Sequence, residues 1–136
     1  MMTKIFRQIV SIIFFSVIFL SATVSHAEII VHNGVGEYFM SDDEAVDFAK
    51  EQAEQVAQRD ILEQVSVYVE RQAKMIDHEL DNEEIFTIST GIIHVTDTKF
   101  SMTPEDDGIL IKSFVTAYID TDELENLLKQ ATISKE

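Results

Sequence analysis

The residues able to do acid–base, metal or nucleophilic chemistry are scattered along the chain. Four His occur: His26 within the leading apolar segment, then His32, His78 and His94 in three separate stretches. None has the H-x-x-x-H or H-E-x-x-H spacing that sets two imidazoles on one helix face to hold zinc. Asp77-His78-Glu79-Leu80-Asp81-Asn82 opens like a calcium loop, with side-chain oxygens at positions one, three and five. Position six needs Gly for the sharp turn and is Asn82; position twelve needs a bidentate Glu and is Ile88. Asp81 with Glu83-Glu84 reads better as a helix cap. Asp42-Asp43-Glu44 and Glu105-Asp106-Asp107 set carboxylates side by side, the raw material of acid–base catalysis when one is desolvated. Both stretches are polar caps or turns, where water keeps carboxylates ionised. Ser66 and Ser113 lack a G-x-S-x-G setting and a neighbouring base. Four Gly in the whole chain leave no glycine-rich phosphate loop. The expectation is therefore no enzyme, no cofactor and no metal site.

The feature that stands out is apolar. Leu110, Phe114 and Tyr118 recur at spacings of four in a segment whose other face carries Ile111, Val115 and Ala117. In a strand, alternate residues share a face. An antiparallel sheet packed on one side should be polar on the other. Two covers for Leu110, Phe114 and Tyr118 stay open: a C-terminal helix carrying Leu124, Leu127 and Leu128, or a partner chain. The helix is taken as local cover, with the remaining aromatic rim as the partner surface.

These residues must be positioned by a fold, and the elements are readable. Ile29-Ile30-Val31 and Val35 to Met40 read as strand, with a bend at Gly34 and Gly36. Ser41-Asp42-Asp43-Glu44 reads as a helix start. From Asp43 to about Gln64, Ala45, Ala49, Ala53, Ala57 and Ile61 fall four apart, with Phe48, Val56 and Leu62 beside them. This is an amphipathic helix whose small stripe lets its axis approach a sheet closely. Lys50–Glu54 and Arg59–Glu63 are spaced as ion pairs along it. Val65-Ser66-Val67-Tyr68-Val69-Glu70 alternates with dense β-branching and is expected as strand, with continued helix as the competing reading. Asp81 caps a short helix closed by Gly91. Ile92 to Met102 is a strand whose apolar phase shifts near Asp97-Thr98, the mark of a bulge. Pro104 to Gly108 turns into a strand over Ile109 to Asp120, and Thr121-Asp122-Glu123 starts a last short helix. The expected fold is α+β: an antiparallel sheet of three to four strands packed on one long Ala-striped helix, with two short helices. It occupies 28–131 as one domain, followed by a polar tail, 132–136.

Composition bounds the partners. The 136 residues hold 25 Asp+Glu against 10 Lys+Arg, a formal charge of −15. That balance argues against nucleic acid and anionic membrane surfaces, which need clustered cations. The absence of Cys excludes disulfides, thiolate metal sites and lipid attachment through Cys. Residues 1–27 read as a signal peptide: Lys4 and Arg7, an apolar run from Ile9 to Leu20, then Ser25-His26-Ala27. The run is short of the roughly 20 residues a spanning helix needs. Retention as an uncleaved anchor is the alternative.

The order of elements resembles the small exported domains at the N-terminus of flagellar assembly protein T and in LPP-type outer-membrane lipoproteins. Gly36-Glu37-Tyr38, Ala45 to Gln64, Val67-Tyr68-Val69-Glu70, Leu80 to Gly91 and Val115 to Asp120 carry the resemblance. It implies a compact α+β domain and a non-enzymatic envelope protein. No lipid-accepting Cys and no second domain are read here, so anchoring and a flagellar role are not carried over. The expected function is an exported, periplasmic or extracellular protein acting by association with another envelope protein or with itself. The alternative is a small-ligand or cation-binding module using Asp77, Glu79 and Asp81. Protein recovered outside the cytoplasm should begin at Glu28; an intact mass that still includes Met1 would overturn this.

Overall fold

The computed structural model describes residues 2–5, 7 and 27–135. Most of the expected signal peptide, including its Ser25-His26 cleavage residues, lies outside them. Among the described residues no helix is long and apolar enough to cross a membrane. The elements run β1 (Ile29–Met40), α1 (Val46–Met75), α2 (Asn82–Ile92), β2 (His94–Glu105), β3 (Gly108–Asp120) and α3 (Thr121–Ile133). The strands form one antiparallel sheet in the order β1-β3-β2. The helices cover one face of it, giving the expected α+β architecture.

β3 is central because its pattern allows burial. Ile111, Val115, Ala117 and Ile119 alternate with outward residues and are fully buried, together with Ser113. α1 faces them with an unbroken row, Ala49, Ala53, Ala57, Ile61, Val65, Val69 and Ala73. Its 30 residues span about 45 Å at 1.5 Å per residue, close to the length of the strands it crosses. Four residues overshoot a helical turn by about 40°, so the row winds around α1 as it advances. Its early members, Ala49 and Ala53, pack with Met40 and Ile111. Its later ones pack with Ile119 of β3, Ile88 and Ile92 of α2, and Leu124 and Leu128 of α3. Among the described residues, every buried core hydrophobic lies between Met40 and Leu128.

The winding row explains why the expected strand at 65–70 is instead helix. Val65 and Val69 continue it, while the intervening Val67 is 56% exposed. β-Branching costs a helix less than about 1 kcal/mol per residue. Burying a Val side chain returns roughly 1.5 kcal/mol or more, so packing overrides propensity.

The glycines of β1 also differ from expectation. The strand runs unbroken through Gly34 and Gly36, and neither has positive φ. Their role is contact: a Cβ on Gly34 would overlap the Ala57 carbonyl, and one on Gly36 the Ala53 carbonyl. The helix backbone lies directly on the strand.

Other boundaries shift by local chemistry. The helix expected from Ser41 begins at Val46, with Ala45 as an uncapped N-cap and exposed. Ser41 and Glu44 close a turn instead: Glu44 N–H donates to the Ser41 carbonyl (3.1 Å) and Ser41 N–H donates to the Glu44 carboxylate (3.0 Å). Gly91 is helical rather than terminal, because buried Ile92 extends α2 by another residue. The bulge falls between Val95 and Asp97. α3 takes in Thr132 and Ile133, and Lys135 bonds the Glu84 carboxylate (2.9 Å) and the Glu79 carbonyl (3.2 Å), so this segment is tied back to the start of α2. The spaced pairs Lys50–Glu54 and Arg59–Glu63 do not form. Lys50 lies 5.5 Å over the Phe100 ring, and Glu54 accepts from Gln58 (3.1 Å) and Thr98 (3.4 Å).

Two glycine substitutions separate contact from flexibility. Gly36→Ala should destabilise by about 1–3 kcal/mol through overpacking. Gly91→Ala, whose added Cβ meets nothing within 4 Å, should stabilise α2 by about 0.5–1 kcal/mol. Urea midpoints that move together in the two variants would refute the close helix–strand contact.

Candidate functional site

The strand register builds the surface expected around Leu110, Phe114 and Tyr118. All three face away from α1. β1 places Phe39 beside Leu110, Val35 beside Phe114 and Val31 beside Tyr118. β2 places Thr103, Lys99 and His94 on the other side of the same three residues. Three apolar-centred rows therefore cross the sheet. Polar rows separate them. In one, Lys112 pairs with Glu37 at 2.6 Å; in the other, Thr116 Oγ1 donates to Asn33 Oδ1 at 3.0 Å. Phe114, Val35 and Phe39 remain 43%, 47% and 42% exposed.

The C-terminal helix does not cover this face, contrary to expectation. β3 ends at Asp120, whose carboxylate accepts from Asp122 N–H at 2.8 Å and caps α3. From there Leu124 and Leu128 turn to the helical side and join the core with Val69, Ile88 and Ile119. Burying them there uses the row that α1 already presents. α3 reaches the open face only at its margin, where Glu123 bonds His94 Nε2 at 2.8 Å. His94 in turn stacks on Tyr118, with ring centroids 5.0 Å apart. The sequence reading missed Val31, Val35 and Phe39. Their spacing of four on β1 repeats that of Leu110, Phe114 and Tyr118, and pairing them would have exposed the surface.

The titratable groups do not converge, and the His32 and His78 Nε2 atoms are buried without a hydrogen-bond partner. His32 Nδ1 lies 3.3 Å from Gln64 Oε1 on the helical face of β1, whereas His94, on the far side of β3, belongs to the open face. His78 sits in the turn after α1, its N–H donating to the Ala73 carbonyl at 3.0 Å. Among the described residues no three His, Asp or Glu converge as a metal site would require. Asp77 has a left-handed backbone (φ 58°) in that turn. Asp81 accepts from Glu84 N–H at 2.8 Å, and Glu84 accepts from Asp81 N–H at 2.9 Å, a reciprocal capping box. That bond and the Lys135 ammonium hold the Glu84 carboxyl below its ordinary range. Glu44 is lowered likewise, first by the Tyr38 hydroxyl donating at 2.7 Å; the same bond raises Tyr38. The acidic run at 105–107 is an exposed hairpin tip. Ser66 Oγ donates to Ser89 Oγ (3.2 Å), which donates to the Ile85 carbonyl (2.6 Å), so neither is poised against a base. Ser113 Oγ is buried without a partner in the core.

A groove of about 370 Å³ lies between α1 and the start of β2. Ile61, Leu62, Ile93 and Val95 line it, with Gln55, Gln58, Arg59 and Thr90 supplying its polar groups. None of Asp77, Glu79 and Asp81 reaches it.

The chain matches no known family model and no characterised protein in sequence.

The capping box gives a pH signature. A carboxyl lowered on folding stabilises the fold above its ordinary value and loses that contribution as pH falls through the folded value. The urea midpoint should therefore drop as pH is taken below about 4.3, the ordinary Glu value. Glu84→Gln should flatten that drop. Parallel curves for parent and variant would show that the box does not titrate with folding.

Proposed function

We propose that this chain is an exported, non-enzymatic protein that acts by protein–protein association in the cell envelope, and that the open sheet face is its contact surface. One observation carries the reading. Six apolar residues from two strands stand in register on a face that no described helix covers. Full burial of one Leu or Phe side chain is worth roughly 1.5–3 kcal/mol. Four of the six, Val31, Val35, Phe39 and Phe114, are 42–59% exposed, which leaves several kcal/mol to be gained by a partner. Apolar patches of this kind on small domains mark interaction sites. The cationic and apolar start of the chain supports export. The resemblance to small exported domains of flagellar assembly protein T and LPP-type lipoproteins supports an envelope role without catalysis. The partner is another envelope protein or a second copy.

A small-ligand module is the second reading, favoured by the groove beside α1. Arg59 at its rim makes no ion pair among the described residues. The groove favours a small organic ligand over a cation, since the carboxylates first considered lie elsewhere.

A photo-crosslinking residue placed at Val35 should give one discrete adduct in cells that export the protein. The same residue at Glu51, on the exposed side of α1, should give none. Adding Phe114→Asp should abolish the Val35 adduct while leaving the urea midpoint nearly unchanged, because Phe114 is exposed. Absence of any adduct from Val35, or a Val35 adduct that survives Phe114→Asp, would overturn the reading.

A further inference from the structure

The two edges of the sheet are treated differently. On β1, the Val35 N–H donates to Asp60 at 3.2 Å and the Asn33 carbonyl accepts from Gln64 at 3.0 Å. Both side chains come from α1, which closes that edge. The same contacts set the direction of every backbone group in the sheet. Asn33 and Val35 point away from β3, so their partners Thr116 and Phe114 point towards β2. The Thr116 carbonyl indeed accepts from Thr96 Oγ1 at 3.1 Å. Asp97, Lys99 and Ser101 are therefore the β2 residues bonded to β3. Thr98, Phe100 and Met102 turn their N–H and carbonyl groups outwards, to an edge that no described element covers.

That edge is bounded and uncharged overall. The bulge at Val95/Asp97 ends it on one side, and Pro104, which has no N–H, ends it on the other. The seven residues between carry one cation and one anion, Lys99 and Asp97, paired at 3.2 Å. In a chain of net charge −15, a neutral strand is where a like-charged copy can approach. Phe100 and Met102 are 37% and 52% exposed beside it.

We infer that two copies of this chain pair antiparallel through β2, forming one continuous six-stranded sheet. The register follows from the side chains. Centring the two-fold axis on Phe100 sets Phe100 opposite its own copy and Thr98 opposite Met102. Lys99 then faces Ser101, and Asp97 faces Thr103. No like charges stand directly opposite, whereas a shift centring the axis on Lys99 would oppose two lysines. Three outward pairs exchange about six hydrogen bonds. The two open faces then lie side by side as one surface. The pairing uses a different part of the molecule from the contact surface proposed above.

The test is sedimentation of residues 28–136 over a concentration series, with amide exchange followed residue by residue. The parent should dimerise, and exchange at Thr98, Phe100 and Met102 should slow in step with the dimer fraction. Phe100→Pro removes an N–H that no intramolecular bond uses, so the variant should fold and stay monomeric. Phe114→Asp should still dimerise, which separates the edge from the open face. A parent that is monomeric at every concentration would overturn the inference, as would a dimer whose three edge amides stay unprotected. So would a dimer kept by Phe100→Pro and lost in Phe114→Asp, which moves self-association to the open face. If Phe100→Pro does not fold, the exchange pattern of the parent decides.

Discussion

The contact of α1 with β1 through Gly34 and Gly36 governs the arrangement of the molecule. Where a sheet residue has a Cβ, a helix must stand off by that side chain's width. Here the carbonyls of Ala53 and Ala57 occupy the space the Cβ atoms would take. The helix axis is drawn towards the β1 side of the sheet and does not sit centrally over it. Two consequences follow. Asp60 and Gln64 come within reach of the β1 edge and close it. On the inner side of β2 beyond Thr98, the Lys50 ammonium lies 5.5 Å over the Phe100 ring. One edge is sealed and the other left open by the same displacement.

The winding row on α1 is the second constraint. A stripe repeating every four residues cannot stay on one line of a helix with 3.6 residues per turn. It can follow a twisted sheet and then turn to meet other helices. Ala49 to Ala57 carry small residues where the strand backbone is close. Ile61, Val65 and Val69 carry larger ones where α2 and α3 are the partners. α3 is recruited to that larger end by Leu124 and Leu128. This is why it folds onto the helical layer and leaves Phe114 bare.

Much of this was legible in the sequence, and the failures share a cause. The +4 spacing from Ala49, the strand over Ile109 to Asp120, the cap at Asp81 and a bulge near Asp97 are local signals, and each appears as an element or junction. Val65 to Glu70 was misread because alternation and β-branching are also local, while what decides it is the partner face of α2 and α3. Gly34 and Gly36 were misread for the same reason: a bend needs one residue, a close approach needs two elements. Of the open sheet face, Leu110, Phe114 and Tyr118 were visible as one strand's spacing. Val31, Val35 and Phe39 required the β1–β3 register, a pairing across more than 70 residues that no window of sequence contains.

Charge placement links the two surfaces. The acids crowd the solvent side of α1, the first turns of α2 and α3, and the hairpin tip, where water or a helix N-terminus stabilises them. The open face holds Glu37 with Lys112 and Asp97 with Lys99, each cation beside an acid. Three of the four are on neighbouring strands around Phe114, so the apolar rows sit in a locally neutral field. A partner approaching elsewhere on the chain meets net negative charge. One approaching this face or the β2 edge meets paired charges and uncovered apolar groups. Repulsion from the rest of the molecule would therefore direct any acidic partner, a second copy of this chain included, to the two places where burial is favourable.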